Sequence, residues 1–399
     1  MSKSGNKNLR NAEFNSASQQ RDPESPELDS GSGLRVLILL SLIVIVTIIL
    51  TVLPKTKKSQ APTNSQPTTT YNLPTTTLFF AGDIMLSRNV HDKMTKADNF
   101  TLPFLNIKDQ ASNADISFAN LESPFNDTGS HFVPNSLVFN ADPKSVDGLR
   151  LAGFDVLGTA NNHSFDQGEQ GLYYTLALLK QNSIAAVGTT TSCHDGVIIK
   201  KNQIKFGFLA YSYAAFNDGG KKSDSLVCNW SDSTQVQTDI KSLKSQADFV
   251  IVSAHMGTEY KREPDEINVG NARTAIDAGA DLLIGHHPHW IQTIEEYKGR
   301  YIFYSLGNFV FDQMWSQDTR EGLTILVTLE SNSSVHPALD AGSNQSKIPA
   351  FAGMGITKIE LMPVVIENYC CPRWADSSET ASILKKVNLT SNILVDNND

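Results

Sequence analysis

Asp281-Leu282-Leu283-Ile284-Gly285-His286-His287-Pro288-His289 is the stretch on which the fold turns. An apolar run of strand length stops at a glycine, and three histidines follow within four residues. Pro288 keeps the segment out of a helix, so the turn can point two imidazoles at one ion. Taken by itself, the cluster leaves open a lesser reading in which one or two of the rings merely hydrogen-bond within the turn. Recurrence separates the two readings: a short strand ending in a ligand-type residue occurs four more times upstream.

Thr77-Leu78-Phe79-Phe80-Ala81 is β-prone and ends in Gly82-Asp83, a tight turn presenting a carboxylate. Asp115-Ile116-Ser117-Phe118-Ala119 runs into Asn120-Leu121-Glu122, and Phe154-Asp155-Val156-Leu157-Gly158 is followed by Asn161-Asn162-His163. Asp248-Phe249-Val250-Ile251-Val252 leads to Ser253-Ala254-His255. Helical stretches are predicted at 145–151, 168–180, 232–246 and 265–278, the last with Gly279 as its C-cap. Strands separated by helices imply right-handed crossovers and a largely parallel sheet. In such a sheet the residues just after each strand converge on one crevice. Asp83, Glu122, Asn162, His163, His255, His287 and His289 are therefore expected to face a common site.

Oxygen and nitrogen ligands without cysteine suit a divalent ion such as Mn, Fe, Zn or Mg, one or two per site. With two, Glu122 or Asp83 would bridge, Asn162 and His255 would lie to one side, and His287 and His289 would be shared between them. His163, beside Asn162, is placed to protonate a leaving group. Residues 205–211 and 301–305 read as buried strands, and Asn308 as a turn former or a site residue. Residues 323–329 and 356–362 read as edge or second-sheet strands, with a Ser/Asn/Gly-rich surface insertion at 330–347.

The rest of the chain sets the context. A net charge of -9 and a pI near 5.5 argue against nucleic acid as a partner. Residues 1–33 read as a disordered tail, and 34–53 as a single transmembrane anchor because 36–53 is an uncharged apolar run. No small-x-small cleavage site follows the run, which sets aside a signal peptide. Residues 54–76 form a Ser/Thr/Pro-rich linker and 77–366 the main domain, with 367–399 a polar C-terminal appendage. Lys55, Lys57 and Lys58 favour a cytoplasmic domain, whereas the spacer and an even number of cysteines point outward. Cys193 and Cys228 are free thiols or disulfide partners, and a bond between Cys370 and Cys371 is disfavoured as strained.

The set Gly82-Asp83-Ile84-Met85-Leu86 with Arg88, Asn120-Leu121-Glu122, Asn161-Asn162-His163 with Asp166 and Gly168, His255-x-Gly257-x-Glu259-Tyr260, His287-Pro288-His289 and Ser305-Leu306-Gly307-Asn308-Phe309 resembles the CapA family of capsule and poly-γ-glutamate synthesis proteins. That family is similar to calcineurin-like metallophosphoesterases. The resemblance implies an α/β fold, a four-layer α/β/β/α sandwich with metal at the strand ends, here preceded by the anchor. It puts Asp83, Glu122, Asn162, His255, His287 and His289 on metal-ligand positions and His163 on the proton-donor position. Asp166 and Arg88 join His163 as catalytic candidates, with Arg88 and Glu259 read as anion-binding or ligand-tuning groups or as an ordinary ion pair. Two departures stand out: Met85 replaces a histidine ligand, and Glu122 replaces the bridging aspartate. His286 is an extra imidazole, second to the ligands or at the surface.

Two functions follow from that reading. One is a membrane-anchored, metal-dependent hydrolase of phosphoester or amide type, with its domain outside the cytoplasm, acting on an anionic surface polymer or its precursor. The other is a non-catalytic accessory subunit working with polymer-synthesis partners in the membrane.

Overall fold

The computed structural model describes residues 75–190, 192–213, 226–331 and 354–387. The tail, the apolar run, nearly all of the linker and most of the 330–347 insertion lie outside the described residues. Among the described residues, no helix is long and apolar enough to cross a membrane.

In chain order the strands are β1 (Thr76–Ile84), β2 (Ile116–Leu121), β3 (Val156–Gly158), β4 (Ala185–Val187), β5 (Val197–Lys201), β6 (Ile204–Ser212), β7 (Phe249–His255), β8 (Leu282–His286), β9 (Ile294–Tyr297), β10 (Arg300–Phe303), β11 (Asn308–Val310), β12 (Glu321–Ser331), β13 (Met354–Glu367) and β14 (Cys371–Trp374). The helices are α1 (Arg88–Lys96), α2 (Lys108–Asn113), α3 (Val146–Ala152), α4 (Gly168–Gln181), α5 (Ser192–Asp195), α6 (Ser233–Lys244), α7 (Glu266–Ala278), α8 (Gln317–Arg320) and α9 (Ser377–Lys386).

The strands form two sheets in a mixed α/β fold. The first runs β14-β13-β12-β1-β2-β3-β4 with β11 beside β1, and the second runs β5-β6-β7-β8-β10-β9. The parallel pairing expected from the crossovers holds at both centres, among β1 to β4 and among β6, β7, β8 and β10. Both edges of the second sheet are antiparallel because short hairpins make them: Asn202-Gln203 joins β5 to β6, and Lys298-Gly299 joins β9 to β10. All four turn residues have positive φ, as two-residue hairpin turns require.

Side-chain alternation along β1 explains how the core divides. Leu78 and Phe80 join one buried cluster with Phe206, Phe208, Val250, Val252 and Leu283 of the second sheet, while Phe79 and Ala81 join another with residues from α1 to α4. Phe118 of β2 stacks on Phe208 of β6 at 6.0 Å between ring centres. Val236, Ile240 and Leu243 recur at helical spacing on α6 and bury against the first cluster. Asp232 caps the start of α6, and Gly279 ends α7 at φ 117°.

Two sequence readings change. The segment from 367, read as an appendage, supplies β14, which pairs with β13, and α9, whose Ile383 is buried in the core. The polar composition of this segment concealed it, since few of its side chains turn inward. The cysteines form Cys193–Cys228 and Cys370–Cys371 disulfides, so the adjacent bond expected to be disfavoured is present. It follows Asn368 and Tyr369, both at positive φ, in the β13–β14 turn.

Candidate metal centre

The carboxyl ends of strands from both sheets meet at one place. Asp83 sits near the end of β1, in register with Asn120 of β2 and Asn308 of β11. His255 ends β7 opposite His286, the last residue of β8. At Gly285 a β-carbon would overlap the Tyr304 carbonyl, so only glycine lets this chain pass and deliver the histidines. His287 and His289 then adopt φ values of 98° and 57°. Such left-handed backbone is uncommon outside glycine and gathers at functional sites.

Asp83 is fully buried and ties the two sheets together. Its Oδ1 accepts from the Asn120 amide at 2.9 Å and lies 3.2 Å from His286 Nδ1, while Oδ2 accepts from the His287 backbone N–H at 3.2 Å. Burial pushes this carboxyl up, but hydrogen bonding to His286 and the charges of His286 and His289 outweigh it and hold the group below its ordinary value. His286, read as second to the ligands or at the surface, is completely buried against Asp83.

Glu122 is the odd group. It is fully buried, yet among the described residues neither carboxylate oxygen has a hydrogen-bond partner. Burial, then the charges of Asp83 and Glu259, push its carboxyl well above the usual range. Native structures rarely leave such a group bare, and a cation is the direct remedy. Glu122 also belongs to two candidate ligand sets, Glu122–His255–His287 and Asp83–Glu122–His289, in each of which the donor atoms lie within 4.8 Å of one another. The residues therefore fit one divalent ion or a pair sharing Glu122.

The amides and rings around this carboxylate are arranged to the same end. Asn162 Oδ1 lies 2.7 Å from His255 Nε2, so two ligand-type atoms converge. His289 Nδ1 meets Asn308 Oδ1 at 2.9 Å, which turns Nε2 toward Glu122 Oε1, 3.8 Å away. Asn308 is held in turn through its amide by Gln313 and the Thr319 carbonyl. Burial comes first among the causes that lower His255, His287 and His289, followed for His255 and His287 by the neighbouring imidazoles. His287 is pushed down to about 3. Neutral rings are the form that binds metal.

His163 is buried beside Glu122, where a proton carrier would be of use. Its Nδ1 is 2.7 Å from Asp166 Oδ2, its ring stacks on Phe139 at 3.9 Å, and Nε2 faces Glu122 Oε1 at 3.8 Å. Asp166 also accepts from the Phe139 backbone N–H, which fixes wall and dyad together. Arg88 is placed differently from a free anion-binding group. Its guanidinium pairs with Asp312, donates to the Ser136 carbonyl at 3.0 Å and lies 4.8 Å over the Phe139 ring. Met85 is buried in the core, with Sδ 3.1 Å from the Ser87 N–H.

The structure thus brings together Asp83, Glu122, Asn162, His163, Asp166, His255, His287 and His289. Sequence reasoning missed Asn120, whose amide links Asp83 to His255 Nδ1 at 3.3 Å, and Asn161, which donates to Asn120 Oδ1 at 3.1 Å. It also missed Phe139, whose loop carries no periodic signal. The recurrence of asparagine at strand ends was the one clue to the first two.

The chain is similar to several known proteins. Residues 77–313 match the family described as bacterial capsule synthesis protein PGA_cap. The PGA biosynthesis protein CapA of Bacillus subtilis (strain 168) is 32% identical over 258 residues, covering 63% of this chain and 67% of that one. The capsule biosynthesis protein CapA of Bacillus anthracis is 30% identical over 272 residues, covering 64% of each. The chain thus spans about two thirds of the length of both relatives. Among solved structures, the calcineurin-like phosphoesterase YfkN from Bacillus subtilis aligns with a TM-score of 0.41 and 14% identity, over 79% of this chain and 97% of that one. The match covers more than half of the sequence: this chain belongs to the PGA_cap family of bacterial capsule synthesis proteins.

Proposed function

We propose that the chain is a membrane-anchored protein of capsule or poly-γ-glutamate synthesis whose domain, outside the cytoplasm, is a divalent-metal-dependent hydrolase of phosphoester or amide type. The substrate would be a surface polymer or its precursor, reached alongside other polymer-synthesis subunits. One observation carries this reading: the buried, hydrogen-bond-free carboxylate of Glu122 is shared by two three-residue ligand sets. The family relatives named for capsule and PGA biosynthesis support the polymer link. The two clusters dividing at β1, with helices packed on them, support a helix/sheet/sheet/helix layering.

Asp83, Glu122, His255, His287 and His289, with Asn162 beside them, would hold the metal. A divalent ion supplies Lewis acidity toward a phosphoryl or carbonyl oxygen. The chain does the rest. Asp166 orients His163 through Nδ1, leaving Nε2 to pass a proton to a leaving group. Asn308 fixes the His289 ring, and Phe139 walls the site from water.

A second reading, a non-catalytic accessory subunit, draws on two features: Met85 stands where a histidine ligand is expected, and Arg88 is neutralised by Asp312. Metal content measured with turnover decides between them. The purified domain should bind a divalent ion and hydrolyse a generic phosphodiester or phosphomonoester, and the His287→Ala/His289→Ala double variant should do neither. Equal turnover in the variant and its parent removes the catalytic reading, and absence of metal from both favours the accessory one. Placement outside the cytoplasm is tested by adding protease to intact cells: removal of the domain supports it, and cleavage only after lysis reverses it.

A further inference from the structure

Beside His289 of the metal centre lies a group of aromatic rings that the proposed chemistry leaves unused. Tyr260 stacks on His289 at 5.9 Å with 28° between the planes. Trp315 meets Tyr260 at 4.8 Å and 82°, forming a corner, and Trp290 lies 6.4 Å from Tyr260. Trp315 is 61% exposed, the most open large ring among the described residues after Leu137 is set aside as aliphatic. An exposed tryptophan one ring removed from a buried metal-ligand candidate is costly in water and useful to a bound molecule.

The corner is also held rigidly to the site. Tyr260 has φ 60°, a left-handed value that a bulky residue adopts only when its surroundings impose it. Its backbone N–H donates to the Pro288 carbonyl at 2.9 Å, between His287 and His289. Its hydroxyl accepts from the Gln313 amide at 3.2 Å, and Gln313 accepts from the Asn308 amide at 3.1 Å. Asn308 is the group that orients His289. A closed ring of contacts thus fixes the aromatic corner relative to a metal ligand.

Charge selects what the corner takes. Glu259, half-buried, precedes Tyr260 in the chain, and its negative charge is felt at Tyr260, Glu122 and His289. The cations nearest in sequence are already committed, Lys261 to Asp265 and Arg262 to Asp318. Among the described residues, the ring group holds one cation, the Arg262 guanidinium 5.3 Å over Trp290, and none lies over Trp315. Aromatic faces beside a carboxylate recognise an ammonium through the ring quadrupole and the opposite charge.

We propose that Trp315 and Tyr260, with Glu259, form a subsite for a positively charged ammonium group, carried by the substrate next to the bond presented to the metal centre. The subsite itself is a binding feature; only its role in presenting substrate rests on the hydrolase reading above. The acidic polymer would then be met through an amine-bearing partner or terminus, since Arg88 offers it no free charge.

The test uses two probes of equal shape, choline and its uncharged carbon isostere 3,3-dimethylbutan-1-ol, titrated against tryptophan fluorescence of the full chain with and without divalent metal. Choline should bind about tenfold or more tightly than the isostere. Trp315→Ala and Glu259→Gln should each weaken choline about fivefold or more, leaving the isostere little changed, and Trp315→Phe should keep most of the preference. Circular dichroism confirms that the variants fold. Equal binding of the two probes, indifference of choline binding to Trp315→Ala, or stronger quenching by N-acetylglucosamine than by choline would overturn the proposal. Because no turnover is read, a chain that hydrolyses nothing still gives an answer, and failure here leaves the metal reading standing.

Discussion

Replacing Glu122 by glutamine should have opposite effects with and without metal. Without metal, the parent buries a carboxylate whose two oxygens meet no donor, beside Asp83 and Glu259. A bare buried polar group costs on the order of 1–3 kcal/mol, and glutamine keeps the shape while removing the charge. In chelator near pH 7.5, Glu122→Gln should therefore be as stable as the parent or more stable by about 1 kcal/mol. The sign follows from linkage. A carboxyl raised in the fold keeps its proton longer there than in the unfolded chain, so parent stability falls as pH rises from about 4.3 through the folded value. The variant's advantage should vanish below that window. With metal at a hundred times its dissociation constant the parent gains about 2.7 kcal/mol, which for a domain of this size raises its melting temperature by roughly 5 °C or more. The variant, lacking the shared ligand, should shift by about a fifth of that or less. Thermal melts of both proteins in chelator and in Mn, Zn or Mg read the result. A variant less stable than its parent in chelator, with an undiminished metal shift, would refute the reasoning.

Three further outcomes are expected. The metal-free domain should lose stability as pH falls below about 6.5, where the unfolded histidines gain protons that buried His255, His287 and His289 resist, His287 down to about 3; denaturant melts from pH 8 to pH 4 check it. Asn308→Ala should free the His289 ring and weaken metal about 10- to 100-fold while the fold persists, read by competition with a fluorescent chelator. Asp166→Asn should lower kcat about 10²- to 10⁴-fold with metal content unchanged, because His163 loses the partner that sets its tautomer; an unchanged kcat would remove His163 from proton transfer.

How far the sequence disclosed this arrangement depends on where each residue sits. Asp83, His255 and the 286–289 cluster end β-branched or apolar runs, and a strand end is a position that pattern alone can mark. The start of α6 and the end of α7 were legible because Asp232 and Gly279 cap them, Asp232 by accepting backbone N–H groups and Gly279 by its left-handed backbone. Asn120 is different: it lies inside β2, and its amide matters only through Asp83 and His255, one a near neighbour in space and the other more than a hundred residues on. Asn308 reads as turn former or site residue alike, because β11 is three residues long and its place beside β1 is set by tertiary contact. In α9 the start was legible in the Asp376 and Glu379 capping box, but its one buried side chain, Ile383, lies among polar residues and its place is set by tertiary contact.

The central claim is that Glu122 is shared between ligands from both sheets around bound metal. Anomalous diffraction at the metal edge, from crystals grown with Mn or Zn, tests it most directly. The account predicts one or two peaks bonded to Glu122, the first with His255 and His287 and the second with Asp83 and His289, and their loss in His287→Ala/His289→Ala. No peak at millimolar metal, or a peak whose ligands exclude Glu122, would contradict it.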